Sequence, residues 1–435
     1  MTDTETQYNQ ALDYLYSFVD YSLKHSSELA KADFNLNRMF ALMESLGNPQ
    51  KKYPIIHVAG TKGKGSVSAL CASALKAAGY KTGLYTSPHL LDFVERIQIN
   101  GEAISHAQLI DLVDEIKPHV AKIEKLTTFE ITTALAFLAF AKYNVTAAVF
   151  EVGLGGRLDA TNIVTPNVSV ITSLSYDHTA VLGNTLALIA GEKAGIIKNK
   201  IPVVSSPQKD EALEVILRVA KLEECEFTLV GKDIKPEFVE STLQGQKFII
   251  HNSSFSIPLL GKHQIENATT AYTALKKSGI KISDEQIKDG FANVKWPARF
   301  EIVRFNPTLI FDSAHNLDSF LRLDETLQEY FPNQKVYLIF GASEDKNILD
   351  MFSVLKSKIE KIIVTKAEHP RALDVEKIVS LANQLEIKSE AVFPVKDALK
   401  RALELSAKDG SIVLSAGSMF VTAEVMREWN NLNLL

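Results

Sequence analysis

Between Tyr53 and Val170, short apolar runs alternate with longer segments of helical period: YPIIHVAG, VSALCASALKAAG, KTGLYTS, TTALAFLAFAKY and AAVFEVGLGG follow one another. A short run that is apolar at nearly every position suits a strand buried on both faces, and a helical segment between two such runs is what a parallel crossover requires. The pattern therefore predicts repeated βαβ units around a parallel sheet. VSVITSL continues it: four of its seven residues are β-branched, and the turn-prone YDHTAVLGN follows. The polar motifs fall just after the strands, where ligand sites of open α/β sheets lie.

From Phe227 to Pro258 the pattern shortens to FTLVGKDIK, QGQKFIIHN and SFSIPLL, which predicts antiparallel hairpins appended to the main sheet. A helix from about Gln264 to Lys277 leads through DEQIKDGFANV to Trp296 and Pro297. A second alternation then begins with TLIFDSA, KVYLIFGAS, KIIVTKA and SIVLSAG. Residues 1–297 and 298–435 are thus expected to form two domains, both α/β, the second smaller.

Composition changes this picture little. The 435 residues are 46% hydrophobic and 23% charged, ordinary for a globular protein and too many for one simple core. A formal net charge of -5 offers no basic field for nucleic acid or an anionic membrane, so neither is expected as a partner. The opening MTDTETQYNQ lacks the basic and apolar regions of a secretory signal. The longest apolar run, Ala134 to Ala141, is far shorter than a membrane span, so a cytoplasmic location is expected. Cys71 and Cys225, the two cysteines, read as reduced structural residues.

Candidate chemistry is densest in IIHVAGTKGKGSVSAL, where a strand runs into Gly60, Thr61, Lys62, Gly63, Lys64, Gly65 and Ser66 and then a helix. Glycines let backbone N–H groups turn toward phosphate oxygens, the helix N-terminus adds a favourable dipole, Lys64 can bridge β- and γ-phosphates, and a hydroxyl can meet Mg²⁺. Val58 stands where the first Walker glycine would fall, and Gly65 separates Lys64 from Ser66, so this is a variant loop. A glycine turn with exposed lysines is the competing reading; the flanking strand and helix favour phosphate.

Two further strand ends carry polar residues. Glu151 begins Glu-Val-Gly-Leu-Gly-Gly, where a carboxylate flanked by apolar residues and glycines can ligate Mg²⁺ beside a nucleotide. His178, in Tyr176-Asp177-His178-Thr179, can serve as ligand or phosphate contact, although a lone histidine is more often structural. Lys193, in Gly191-Glu192-Lys193-Ala194-Gly195, reads from spacing alone as a surface lysine at a helix end.

Taken together, GTKGKGS, TSPH, FEVGLGGRLDATN, DHTAVLGNT and GEKAGIIK resemble successive motifs of the Mur ligase superfamily, in its folylpolyglutamate synthase and dihydrofolate synthase branch. The resemblance runs from about residue 33 to 425, with Lys62 where Asn is commoner and Leu317 where Pro is usual. It implies a P-loop-type, mostly parallel domain followed by a C-terminal Rossmann-like domain. It also implies an ATP-dependent ligase that activates a carboxylate as an acyl phosphate and joins it to glutamate, with ATP and two Mg²⁺ ions. Lys64, His178 and Lys193 would be catalytic, with Lys193 carbamylated. Ser66, Ser87, Glu151, His178 and Lys193 would hold the metals. Asn267, Arg299, Asp312 and His315 would join Gly60–Ser66 on the nucleotide; unaided, Asp312-Ser313 reads as a helix N-cap. Ala32, Asp33, Phe34, Thr127, Thr128, Phe129, Glu130, Leu158, Asp159 and Ala160 match the segments that bind the pterin, with ordinary core packing the rival reading for Phe129. The incoming glutamate would lie near Gly341–Lys346 and Glu368–Ala372. A folate acceptor, dihydropteroate as a second acceptor, and a monomer complete the expectation. The rivals are a cell-wall ligase of the same superfamily and a nucleotide-binding regulator that ligates nothing.

Overall fold

A computed structural model describes residues 3–20 and 34–433 of the chain. Eight strands form the first sheet: β1 (Ile55–Ala59), β2 (Thr82–Tyr85), β3 (Ile97–Ile99), β4 (Glu102–Ala103), β5 (Ala147–Glu151), β6 (Val168–Ile171), β7 (Val203–Ser205) and β8 (Phe227–Leu229). Their order is β4-β3-β2-β5-β1-β6-β7-β8. The six strands from β2 to β8 in that order run parallel, and β3 and β4 add an antiparallel edge. The mostly parallel α/β expectation therefore holds. Every residue of β1 and β5 is buried, which their apolar runs required of central strands covered on both faces.

The Thr128–Lys142 helix is apolar all round and buried from Thr128 to Phe140 except for a partly exposed Phe129. With helices Asp3–Tyr16, Asn37–Ser45 and His106–Val120 it builds the core on one side of the sheet. A second core, around Ile171, Ile189, Ile196 and Ile216, includes the helices Leu186–Ala194 and Asp210–Leu222.

One expectation fails here. Phe227–Leu229 is not part of a hairpin; it is the parallel edge strand β8, paired with β7. The Asp210–Leu222 helix separates the two strands, and a helical crossover returns the chain in parallel sense. The strands that follow, β9 (Glu237–Thr242), β10 (Gly245–Ile250) and β11 (Ser253–Ile257), form a separate three-stranded sheet rather than an extension of the main one.

The remaining strands are β12 (Glu301–Phe305), β13 (Thr308–Phe311), β14 (Val336–Phe340), β15 (Ile359–Val364), β16 (Ser389–Ala391) and β17 (Ile412–Ala416). They form a sheet of order β12-β13-β17-β14-β15-β16, antiparallel only at β12. Two compact units result. The first comprises the chain up to Glu240 with Lys247–Ile257 and Gln264–Lys295; the second takes Ser241–Gln246, Pro258–His263 and the chain from Trp296 onward.

Candidate active site

Strands β2, β5, β1 and β6 are neighbours, and their carboxyl ends carry Ser87, Glu151, the Gly60–Ser66 loop and the Thr172–His178 segment respectively. Side chains far apart in sequence are thereby brought to one edge of one sheet. The 14-residue Lys64–Ala77 helix starts directly from the loop, and no side chain caps its N-terminus. Its first amides are thus left without a side-chain acceptor, an arrangement able to receive an anion. Gly63 has φ 86, and a Cβ there would stand 2.3 Å from Asn267 Oδ1, so only glycine suits the position. Asn267, from the Lys262–Lys277 helix, is accordingly packed against the loop, and its Nδ2 donates to Gln264 Oε1 at 3.0 Å.

The loop is tied to the end of β6. The Thr61 and Lys62 amides donate to Ser173 O at 3.1 and 3.0 Å, Thr61 Oγ1 donates to Ser175 O, and Lys62 Nζ lies 3.4 Å from Asp177 Oδ2. His178 follows at φ 50, its backbone N–H bonded to Asp177 Oδ1, with its side chain half exposed. Asp177 was not singled out from sequence, although it adjoins His178 in the same motif.

Lys193 is not the surface residue that spacing suggests. It is 5% exposed, and its Nζ donates to Gly60 O at 2.8 Å. Burial, reinforced by the nearby Lys64 charge and opposed by Asp177 and Asp159, lowers its pKa to about 7. Glu151, 6% exposed, accepts a hydrogen bond from the Ser87 amide at 3.2 Å, across the parallel strands β2 and β5. Ser66 is buried in the first turn of the loop helix.

Among the pterin candidates, Ala32 and Asp33 lie outside the described residues, and Phe34 is half-buried. Thr127 and Glu130 form a reciprocal capping box for their helix, and Glu130 also takes Arg38 Nε at 3.0 Å. Thr128 Oγ1 donates to Leu15 O at 2.9 Å. The Phe129 ring lies beside Tyr85, their centroids 6.5 Å apart. Asp159 Oδ2 accepts from the Gly153 and Leu154 amides at 3.1 and 2.9 Å, and Oδ1 from the Thr161 amide and hydroxyl at 3.0 and 2.6 Å. Burial raises its pKa. Leu158 is half-buried and Ala160 buried beside it.

In the second unit, Asp312 follows β13, and its carboxylate accepts from Phe300 N at 2.8 Å and Ala314 N at 2.7 Å. The helix N-cap is instead Asn316, in a capping box with Ser319. Ala298 and Phe300 both have positive φ, so the turn carrying Arg299 is held in a costly shape by Asp312 and by Glu301, which accepts from Ala298 N at 2.8 Å. Arg299 lies over the Trp296 ring, and His315 Nδ1 is 2.8 Å from Ser313 O. At the carboxyl ends of β14, β15 and β17, a cleft is lined by Ala342, Ser343, Lys366, His369, Ser418 and Phe420, among others. His369 stacks on Phe420 with centroids 4.0 Å apart. Ser418 and Phe420 were not anticipated; their signal is the glycine turn after SIVLSAG.

Known proteins match this arrangement over nearly the whole chain. The Mur ligase middle domain matches residues 58–275, and the Mur ligase glutamate ligase domain residues 298–419. The dihydrofolate synthase/folylpolyglutamate synthase of Bacillus subtilis is 36% identical over 438 residues, covering 97% of this chain and 99% of that protein. Mycobacterium tuberculosis folylpolyglutamate synthase complexed with ADP matches with a TM-score of 0.89 at 33% identity, over 98% of this chain and 99% of that one. E. coli FolC in complex with DHPP and ADP matches with a TM-score of 0.85 at 30% identity, over 98% of each chain.

Proposed function

Since this chain belongs to the dihydrofolate synthase/folylpolyglutamate synthase family of Mur ligases, we propose how its own residues divide that family's work. It is an ATP-dependent ligase that joins L-glutamate to folates. A carboxylate is a poor electrophile because oxide is a bad leaving group. Transfer of the γ-phosphoryl group to a carboxylate oxygen, with ADP leaving, gives an acyl phosphate. The glutamate amine then attacks the acyl carbon, the C–O bond to phosphate breaks, and the amine gives up a proton.

In this reading Gly60–Ser66 and Asn267 hold the triphosphate, with Arg299, Asp312 and His315 as further nucleotide contacts, and Lys64 offsets the charge built up as phosphoryl meets carboxylate. The donor set suits Mg²⁺. Glu151 is a buried carboxylate, Ser66 and Ser87 offer hydroxyls, and no group of three His, Cys, Asp or Glu side chains gathers among the described residues. That set fits an ion which keeps water and phosphate oxygens in its shell rather than an all-protein cage. Ser66, Ser87 and Glu151 would hold one ion, and His178 and a carbamylated Lys193 a second. Bound Mg²⁺ supplies positive charge against the phosphate oxygens. With its pKa lowered to about 7 by burial, Lys193 gains access near neutral pH to the free amine, the form that adds to CO₂ and loses a proton to give a carbamate.

Phe129 would stack on the pterin, with Ala32, Asp33 and Phe34 and the segments Thr127–Glu130 and Leu158–Ala160 around it; dihydropteroate would be a second acceptor. The Lys366, His369 and Ser418 cleft would take glutamate, near the expected Gly341–Lys346 and Glu368–Ala372 segments. Residues 1–297 would form the ATP-binding domain and 298–435 the glutamate-ligase domain, in a cytoplasmic monomer. No helix among the described residues is long and apolar enough to cross a membrane.

The observation that carries this reading is the contact of buried Lys193 with the phosphate loop. Its test is incubation of the purified protein with ATP, Mg²⁺, glutamate and either dihydropteroate or tetrahydrofolate. A product heavier by one glutamyl unit is expected, and its absence with both acceptors overturns the reading.

A further inference from the structure

A buried chain of hydrogen bonds begins at a histidine in the middle of β1. His57 is 0% exposed, and its Nε2 lies 2.8 Å from Thr161 Oγ1. Thr161, also 0% exposed, places the same hydroxyl 2.6 Å from Asp159 Oδ1. Asp159 in turn holds the Gly153 and Leu154 amides with Oδ2.

The directions of these bonds follow from counting hydrogens. His57 Nδ1 is buried without a partner. Were Asp159 protonated and the chain reversed, Nδ1 would carry an orphaned N–H, the costlier group to strand. The cheaper arrangement is an ionised Asp159, a Thr161 hydroxyl that donates to it, and a neutral His57 that donates from Nε2 and leaves only a lone pair unmet. Burial, helped by the Lys198 charge, holds the His57 pKa down near 3, in keeping with a neutral ring.

The loop at the end of this chain has little room to be misplaced. A Cβ on Gly153 would stand 2.4 Å from Phe129 Cζ, and Arg157 N donates to Glu192 O at 2.7 Å, next to Lys193. The loop thus starts at Glu151, passes against Phe129 and ends on the backbone that carries Lys193.

We propose that His57 is a positioning residue for the ligation reaction: acting through Thr161 and Asp159, it fixes the 153–157 loop and with it the relative placement of Glu151, Phe129 and Lys193. This inference rests on the ligase reading above for its kinetic consequence, but not for its structural one.

The test compares His57→Leu with His57→Gln, whose amide can still donate, and Thr161→Val with Thr161→Ser. Outer partners of this kind typically cost ten- to a hundredfold on loss. His57→Leu and Thr161→Val should each lower kcat about that much, with ADP affinity held within about threefold, while the Gln and Ser variants recover most of it. Hydrogen exchange of the Gly153 and Leu154 amides should quicken about tenfold in Leu and Val variants, whether or not turnover is measured. If His57→Leu fails to fold, the Thr161 pair carries the same comparison. Unchanged exchange, or Gln and Ser variants as impaired as Leu and Val, overturns the proposal. Loss of all ligase activity in the wild type would instead overturn the function and leave the exchange result standing.

Discussion

Lys193 Nζ donates a 2.8 Å hydrogen bond to Gly60 O, from a residue 133 positions away in the chain. A lysine whose pKa burial lowers to about 7, beside the Gly60–Ser66 loop, is available as a nucleophile toward CO₂. With ¹³C-bicarbonate, the wild type should show a carbamate resonance that Lys193→Met lacks, and the variant should lose at least about a hundredfold in kcat while still binding ADP. Wild-type protein that takes up no label would remove the carbamate from the scheme.

Gly63→Ala forces a Cβ to within 2.3 Å of Asn267 Oδ1 and places a side chain at φ 86. Both penalties fall on the loop proposed to hold the phosphates, so calorimetry should find ADP binding weakened by at least about tenfold. Gly79→Ala, at a positive φ with open space around it, should cost some stability and leave ADP binding alone.

Thr127→Ala removes one half of a capping box. Denaturant titration should show a loss of about 1 kcal/mol, and Thr127→Ser should restore most of it. The Michaelis constant for the folate acceptor separates the two roles considered for this residue: a change beyond about threefold at unaltered stability would make Thr127 a pterin contact rather than only a cap.

Asp312→Asn replaces a carboxylate that accepts two backbone N–H groups with an amide that presents a donor to one of them. A stability loss of about 1–3 kcal/mol is expected. Because the Ala298–Phe300 turn carries Arg299, the ADP dissociation constant should rise with it. Arg299→Lys should weaken ADP without the stability loss, and equal stability losses in both variants would refute this division.

His57 gives a pH dependence whose sign is determined. Its pKa in the fold, about 3, lies below the ordinary 6.5, so the unfolded chain binds more protons between those values. Stability therefore falls as pH drops from 6.5 toward 3 and levels off beneath. In His57→Gln that part of the acid dependence should vanish, and unfolding between pH 6 and 4 should take up fewer protons than in the wild type. Identical stability slopes for the two proteins over that range would show that His57 takes up its proton in the fold as readily as in the unfolded chain.

The first sheet and the glycine turn that follows β1 were legible because their signals are local: a strand apolar throughout, a glycine turn and a helix all lie within residues 55–70. The burial of Lys193, which the resemblance singled out but spacing placed at the surface, was not, because it depends on a contact with Gly60 that no spacing records. Nor was the Arg299 turn, whose positive φ values at Ala298 and Phe300 are imposed by Asp312 and Glu301 against the preference of those residues. β8 was misassigned for a different reason: three residues carry too little pattern to tell a parallel edge from one arm of a hairpin. Thr127 and Glu130 illustrate the reverse, since T-x-x-E ahead of an apolar run is a helix-start signature that their likeness to a substrate segment overshadowed.

The Thr128–Lys142 helix, apolar around its whole circumference, limits how this protein can drift. Solvent offers it almost no side on which a polar exchange would be harmless, so tolerated substitutions should keep side-chain volume and come in compensating pairs. Its first turn bears Phe129, and a family member that altered the interior of this helix would shift the ring with it. Acceptor preference could then diverge between relatives without any change in the residues that touch the acceptor.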